Sequence, residues 1–269
     1  MRISRVLLGA SCAAVIAIPA TVVSAFAAAS ADAASGARYV ALGDSYSSGE
    51  GAGSYSGGSC DRSAYAYPQQ WANANAPASF AFVACSGATT SDVLSSQVSS
   101  LSTSTTLVSI TIGGNDVGFS GVMETCVLES TSSCESAVAA AEAKIANPLP
   151  GELDSTLQTI RKNAPSARIV VLDYPELYDL SHSSSCIGLS TADRTALDQG
   201  ADQLDSAISA AAARNGDTFL DVRSQFSGHE ICDSSSWLNS VTWPIGESYH
   251  PTANGQELGY LPKFSSAAG

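Results

Sequence analysis

The chain has 269 residues, and its 25 acidic side chains against 12 lysines and arginines give a formal net charge of −13 at pH 7. Such an acidic protein is not expected to bind nucleic acid or to adsorb to anionic membranes through basic patches, because both need clustered positive charge. Its length is sufficient for one large domain with a substantial core.

Residues 1–33 predict a signal peptide. A positively charged start precedes an apolar run, and residues 31–33 form a small-x-small cleavage site. Pro19 and the many small residues disfavour a membrane anchor. We expect cleavage after residue 33, with residues 27–29 as competing sites. Residues 34–269 are then a single domain of a secreted, extracellular protein.

Six cysteines remain after Cys12 leaves with this leader: Cys60, Cys85, Cys126, Cys134, Cys186 and Cys232. An even number in an exported chain predicts three disulfides, although the residues alone leave the pairing open. The sequence contains no C-x-x-C pair and no H-E-x-x-H helix motif, so a metal site is not expected.

Five short apolar runs predict buried strands at residues 39–42, 80–84, 107–112, 168–172 and 218–222. They are continuous in valine, isoleucine, leucine and alanine, as a parallel sheet covered on both faces requires. The segments between them have helical character. Strands alternating with helices predict a doubly wound α/β fold that binds its ligands at the carboxyl ends of the strands.

The longest predicted helix begins after Ser190, a suitable cap, and places Leu197 and Ile208 on one apolar face before Gly216. Residues 136–146 and 153–160 predict two further helices. The serine-rich residues 95–106 are expected to form solvated loops or helix ends. Residues 265–269 are expected to be frayed.

Four polar blocks lie at strand ends or in late loops. Ser45 follows Gly43-Asp44 after the first strand, Gly87 follows the second, Asn115 follows the third, and His250 precedes Pro251. Acyl transfer needs a hydroxyl nucleophile, an imidazole base and donors for an oxyanion. Ser45 and His250 fit the first two roles. The N–H groups of Ser45 and Gly87, with the Asn115 amide, fit the third.

These blocks, at residues 43–49, 85–90, 110–116 and 247–252, resemble those of the SGNH (GDSL) hydrolase superfamily, and most of all its secreted actinomycete lipases and phospholipase A1 enzymes. The resemblance implies a catalytic domain with a three-layer α/β/α sandwich, a five-stranded parallel sheet of flavodoxin-like type, and no metal or other cofactor. It also implies disulfides between neighbours along the chain: Cys60 with Cys85, Cys126 with Cys134, and Cys186 with Cys232.

The third member of a catalytic triad has two candidates. Many members of the superfamily have aspartate three residues before the catalytic histidine, whereas this chain has Glu247. The Glu247 carboxylate is the first candidate to accept a hydrogen bond from His250 Nδ1, because an ionised acceptor makes the stronger bond. The backbone carbonyl of Ser248 is the alternative.

The residues and the resemblance together predict a monomeric serine hydrolase that cleaves carboxylic esters, as a lipase, an esterase or a phospholipase A1. Its partners would be lipid or other ester substrates and, transiently, lipid interfaces. A polysaccharide acetyl esterase of the same superfamily is a second reading. A non-catalytic binding module is a third, disfavoured by the complete set of Ser45, Gly87, Asn115 and His250.

Overall fold

The computed structural model describes residues 36–182, 186 and 188–269, and the predicted leader lies outside them. Its sheet has five strands: β1 Arg38–Ala41, β2 Ser79–Phe82, β3 Leu107–Ile110, β4 Arg168–Leu172 and β5 Thr218–Leu220. All pairs are parallel, and the spatial order is β2-β1-β3-β4-β5. This doubly wound order confirms the predicted fold class.

The central strands are apolar on both faces because helices cover both. In β1, β3 and β4, Val40 pairs with Val108 and Val108 with Ile169, and all three side chains are buried. A strand buried on both sides needs no polar alternation, which explains the continuous apolar runs of the sequence.

Ten α-helices occur in the described residues: α1 Ser45–Ser48, α2 Tyr67–Asn75, α3 Thr90–Asp92, α4 Gly114–Val117, α5 Phe119–Leu128, α6 Thr131–Ala146, α7 Leu149–Asn163, α8 Thr191–Asn215, α9 Arg223–Phe226 and α10 Leu261–Ala268. Helices α6, α7 and α8 pack together as one layer, while α2 and α10 belong to another. The sheet between them completes the three-layer sandwich.

The longest helix, α8, is bounded as the sequence predicts. The Ser190 side chain accepts from the Asp193 N–H, and the Asp193 side chain accepts from Ser190, forming a capping box. Gly216 ends the helix in the left-handed region with φ 69°. Leu197 and Ile208 are buried. The predicted amphipathic helix is therefore confirmed.

The C-terminal segment differs from the sequence expectation. Residues 265–268 are part of α10 and are not frayed. The helix is held because Phe264 is fully buried and its ring contacts those of Tyr39, Tyr67 and Trp71. This aromatic cluster fixes α2 and α10 against β1.

The six cysteines form three disulfides, Cys60–Cys85, Cys126–Cys134 and Cys186–Cys232. The pairing is the one that the superfamily resemblance implies. The first bond ties the loop after α1 to the end of β2, and the second joins α5 to α6. Both lie beside elements that carry candidate site residues.

Candidate active site

Ser45 and His250 meet at the carboxyl edge of the sheet. Ser45 begins α1 directly after β1, and His250 lies in the loop before the C-terminal helices. The Ser45 Oγ is 2.8 Å from His250 Nε2, and both residues are buried. The structure therefore brings together two residues that are 205 positions apart in the sequence.

The turn before Ser45 depends on glycine. Gly43 has φ +122°, and a Cβ there would lie 2.4 Å from the Thr111 carbonyl oxygen. The Gln97 side chain fastens this turn, since its oxygen accepts from the Gly43 N–H and its amide donates to the Gly43 carbonyl, both at 2.8 Å. Gln97 is buried within the serine-rich stretch, so residues 95–106 are not all solvated as expected.

Asp44 holds the turn before Ser45 through buried hydrogen bonds. Its carboxylate accepts from the Tyr46 N–H at 3.0 Å, from the Thr111 hydroxyl at 2.8 Å, and from the Tyr174 hydroxyl. Burial raises the pKa of Asp44 to about 6, and the three hydrogen bonds act in the opposite direction. The Tyr174 hydroxyl also accepts from the Gly114 N–H at 3.1 Å, so the β1 and β3 turns are linked.

The three predicted oxyanion donors follow the carboxyl ends of β1, β2 and β3, which are neighbours in the sheet. Within the part of the chain that the structure describes, neither the Ser45 nor the Gly87 N–H donates a hydrogen bond. Asn115 Nδ2 donates to the Ala88 carbonyl at 3.0 Å, which joins its loop to that of Gly87. Asp116 strengthens this junction by accepting from the Thr90 N–H at 3.0 Å.

His250 is oriented by a backbone carbonyl. Its Nδ1 lies 3.0 Å from the Ser248 oxygen, and because a carbonyl only accepts, Nδ1 carries the proton. A neutral ring then presents Nε2 as an acceptor to Ser45. Burial lowers the pKa of His250 to about 4, against the weaker effect of bonds to Ser248 and Gly246.

Glu247 is not placed where the sequence predicts it. Its carboxylate accepts from the Tyr55 hydroxyl at 2.8 Å, while Nδ1 of His250 faces the Ser248 carbonyl. The reason is local backbone shape: Ile245–Glu247 forms a 3₁₀ turn, and Tyr249 has φ 65°. This path directs the Ser248 carbonyl, and not the Glu247 side chain, to the imidazole.

A second carboxylate, missed from the sequence, lies beside the imidazole. Glu50 is buried, and its Oε2 is 3.7 Å from His250 Nε2. The Ser86 hydroxyl donates to the same oxygen. A Cβ on Gly246 would lie 2.7 Å from Glu50 Oε1, so the Glu50 carboxylate passes close to this glycine. In the sequence, the two glycines that flank Glu50 were the feature that could have drawn attention to it.

An apolar cavity opens beside Ser45. Helices α5, α6 and α8 supply most of its wall. Its lining includes Phe119, Val138, Ile145, Leu177, Leu197 and Leu204, with Asp44, Ser45 and Asn115 at its polar end. Among residues 36–182, 186 and 188–269, no group of three or more histidine, cysteine or carboxylate side chains is arranged to hold a metal ion.

A doubly wound sheet with a serine–histidine pair at its carboxyl edge defines the class of α/β serine hydrolases. Residues 41–258 match the GDSL-like Lipase/Acylhydrolase family. The chain belongs to this family, and it is a carboxylic ester hydrolase.

Relatives from Streptomyces support this assignment. The chain is 55% identical to Lipase 1 of Streptomyces coelicolor, over 86% of both chains. It superposes on the crystal structure of phospholipase A1 from Streptomyces albidoflavus with a TM-score of 0.84 and 54% identity, covering 86% of this chain and 99% of that one. For the extracellular lipase of Streptomyces rimosus, the TM-score is 0.83 and the identity 50%, with coverage of 86% and 99%.

Proposed function

We propose that this protein hydrolyses lipid esters outside the cell through an acyl-enzyme on Ser45, with His250 as general base. The observation that carries the proposal is the apolar cavity, which opens directly beside the Ser45–His250 pair. A fatty acyl chain lying in this cavity has its carbonyl carbon at the nucleophile. The proposed substrates are therefore lipids of the lipase or phospholipase A1 type.

The reaction follows from the hydrogen bonds of the pair. Ser45 Oγ attacks the ester carbonyl as its proton passes to His250 Nε2, and the Ser45 and Gly87 N–H groups with Asn115 Nδ2 stabilise the oxyanion. Collapse expels the alcohol, which takes the proton from Nε2. Water then attacks the acyl-enzyme with His250 again as base, and the carboxylic acid leaves as Ser45 recovers its proton.

In this scheme, Ser248 replaces a triad acid as the group that orients His250. A carbonyl fixes the same tautomer as a carboxylate, although it stabilises the imidazolium less. The low pKa of His250 supports the role of a base, because the ring is neutral at the start of the reaction.

A chain-length series tests the proposal. Each methylene that enters an apolar cavity contributes about 0.8 kcal/mol, so p-nitrophenyl octanoate should exceed the acetate by at least about tenfold in kcat/KM. Triacylglycerol and phosphatidylcholine are compared in the same panel, with Ser45→Ala as the blank. Equal kcat/KM for the acetate and the octanoate would show that the cavity does not bind the acyl chain.

The acetyl esterase alternative makes the opposite prediction. It requires faster release of acetate from acetylated xylan than of octanoate from its p-nitrophenyl ester. The apolar lining of the cavity, with Phe119 and Leu204 among its residues, favours the longer acyl group. A binding module without catalysis predicts no turnover that depends on Ser45.

Secretion is part of the proposal and rests on residues 1–33. The three disulfides fit an oxidising compartment, and the Streptomyces rimosus relative is described as extracellular. N-terminal sequencing of protein from the culture medium tests it. A mature chain that starts after residue 33, or after one of residues 27–29, is the expected result, and retention of residues 1–33 would contradict it.

A further inference from the structure

Five exposed apolar side chains surround the outer approach to His250. They come from the end of α5 and from the loop before His250, and we call them the apolar rim: Val127, Leu128, Val241, Trp243 and Ile245. Trp243 is 85% exposed, Leu128 72% and Ile245 62%. Contiguous exposed apolar groups of this size mark interaction sites on soluble proteins.

The apolar rim is one surface. Val127, Leu128, Val241 and Ile245 line a single open cavity together with His250. Trp243 stands between Val241 and Ile245 in the same exposed loop. Phe119 lines this cavity and also the acyl cavity at Ser45, so the apolar path continues from the surface to the nucleophile.

We propose that the apolar rim docks on the surface of aggregated lipid with uncharged or zwitterionic head groups, an inference that rests on the proposed function. A lipid ester can then pass from the aggregate to Ser45 without crossing water. The charges around the outer cavity favour a lipid surface without net negative charge. Glu124 is the charged residue in the lining of this cavity, and the lining includes no lysine or arginine. Trp243 suits the boundary between head groups and acyl chains.

Binding without turnover tests the docking directly. In a Ser45→Ala background, co-sedimentation with phosphatidylcholine vesicles is compared with and without Trp243→Ser. Loss of the indole should weaken vesicle binding by about tenfold or more. Leu258→Ser is the matched control, since Leu258 is 45% exposed and lies outside the apolar rim. This control should bind as the parent does.

Activity separates docking from chemistry. In the catalytically intact protein, Trp243→Ser should reduce hydrolysis of vesicle lipid by about tenfold and leave hydrolysis of soluble p-nitrophenyl butyrate within about twofold. Unchanged vesicle binding, or an equal loss on the soluble ester, would overturn the inference. If the parent is a dimer in solution, and Trp243→Ser is a monomer that still binds vesicles as the parent does, the apolar rim would be a contact between two copies of this chain. Failure of the parent on every ester would instead reject the proposed function.

A second inference concerns Glu50. His250 has a carbonyl on Nδ1, so the mechanism lacks an acid in the usual position. The Glu50 carboxylate is the one held 3.7 Å from Nε2, on the opposite side of the ring. It is fixed there by the Ser86 hydroxyl and by close contact with Gly246.

We propose that Glu50 supplies the negative charge that stabilises the His250 imidazolium, which also rests on the proposed function. Opposite charges at this separation interact strongly in a buried site. Burial raises the pKa of Glu50, so its charge is costly and is stabilised when the ring is protonated. Other carboxylates whose fields reach Glu50 are Asp44, Asp61 and Glu247, and all three stay in the test variants.

Glu50→Gln removes this charge and keeps an oxygen that accepts from Ser86. We expect kcat to fall about tenfold or more with KM within about twofold. The difference in kcat between the parent and Glu50→Gln should shrink toward acid pH, because protonation of Glu50, whose pKa is raised, removes the same charge from the parent. Ser86→Ala is the matched control: it removes the hydrogen bond but not the charge, and should keep kcat at neutral pH near that of the parent.

A structural role for Glu50 would lower kcat by the same factor at neutral and at acid pH, and that result would overturn the inference. So would a glutamine variant that keeps more than about a third of kcat. If that variant does not fold, Glu50→Asp, which withdraws the charge by one methylene, must show a smaller change in the same direction. Loss of activity in Ser45→Ala with full activity in Glu50→Gln keeps the proposed function and rejects this inference alone.

Discussion

The two sides of the candidate site are held in different ways. Ser45 lies over buried side chains, where Asp44 receives hydrogen bonds from Thr111 and Tyr174. His250 lies in a loop held mainly through backbone groups: the Asn239 N–H donates to the His250 carbonyl at 2.9 Å. Ser45 is thus held by a network of buried side chains, whereas His250, which is also buried, is held by the backbone of a loop.

This difference separates stability from activity. A substitution of Asp44 leaves buried donors without an acceptor, so it should lower both the free energy of unfolding and the rate of hydrolysis. A substitution around His250 changes the position of the ring while the sheet stays intact. The Tyr46 hydroxyl donates to the Tyr249 carbonyl at 2.7 Å, and this hydrogen bond is one of those that connect the two sides.

The largest effect is expected from Ser45→Ala. Removal of the nucleophile should reduce kcat for a soluble ester by about 10³-fold or more with an unchanged circular dichroism spectrum. Ser120→Ala, in the outer cavity, is the control and should stay near the parent. Activity of folded Ser45→Ala within tenfold of the parent would reject this nucleophile, and Ser47 would be examined next.

Asp44→Ala should damage the core side of the site. It leaves the Tyr46 N–H and the Thr111 and Tyr174 hydroxyls without their acceptor, which should lower the free energy of unfolding by about 3 kcal/mol or more. Urea denaturation measures the change. Asp92→Ala, an exposed capping carboxylate, should cost only about 1 kcal/mol. If both variants lose a similar free energy of unfolding, the buried hydrogen bonds of Asp44 contribute no more to stability than the exposed ones of Asp92.

Tyr46→Phe tests the connection between the two sides. Without its bond to the Tyr249 carbonyl, we expect a loss of about 1 kcal/mol in stability and about fivefold in kcat. Tyr39→Phe is the control, because it removes a buried bond to Ser109, of 2.6 Å, away from the site. The control should lose stability without losing kcat; equal kcat for both variants would show that the bond does not position His250.

Glu247→Gln should have a small effect. The amide oxygen can still accept from Tyr55, and His250 keeps its bond to Ser248. We expect kcat within about threefold of the parent, measured on a soluble ester. A fall of about 10²-fold would restore Glu247 to the triad role that the sequence suggested.

The smallest effect is expected from a change of pH. Burial lowers the pKa of His250 to about 4, so the ring stays neutral in weak acid. We expect kcat/KM at about pH 5.5 to remain within about twofold of its value at about pH 7.5, and to fall as the pH approaches 4. A histidine with an ordinary pKa of ~6.5 would lose about tenfold over that range. An acid limb centred near 6.5 would contradict a buried base.

Much of the fold could be predicted because burial leaves a periodic signal. The apolar runs identify all five strands within a few residues, and Ser190 and Gly216 mark the ends of α8. The position of Ser45 follows from the rule that parallel sheets collect ligands at their carboxyl edge. The structure places His250 there too, as the four polar blocks together suggested.

Other features could not be predicted because they depend on backbone direction or on distant contacts. The left-handed Tyr249 directs the Ser248 carbonyl to the imidazole, and no residue pattern records that direction. Glu50 resembles a solvated loop residue until Gly246 is packed against it. Gln97 is hidden in a polar stretch because its partner, Gly43, is 54 positions away.

Gln256 lies late in the chain and holds two segments that are synthesised much earlier. Its oxygen accepts from the Tyr67 N–H at 2.9 Å, and its amide donates to the Tyr46 carbonyl at 3.0 Å. Synthesis runs from the N-terminus, so a growing chain has its nucleophile long before it has His250, Gln256 or the Phe264 ring that packs on β1. The partly made chain therefore contains Ser45 without its hydrogen-bond partner His250, and under the proposed function it would be inactive.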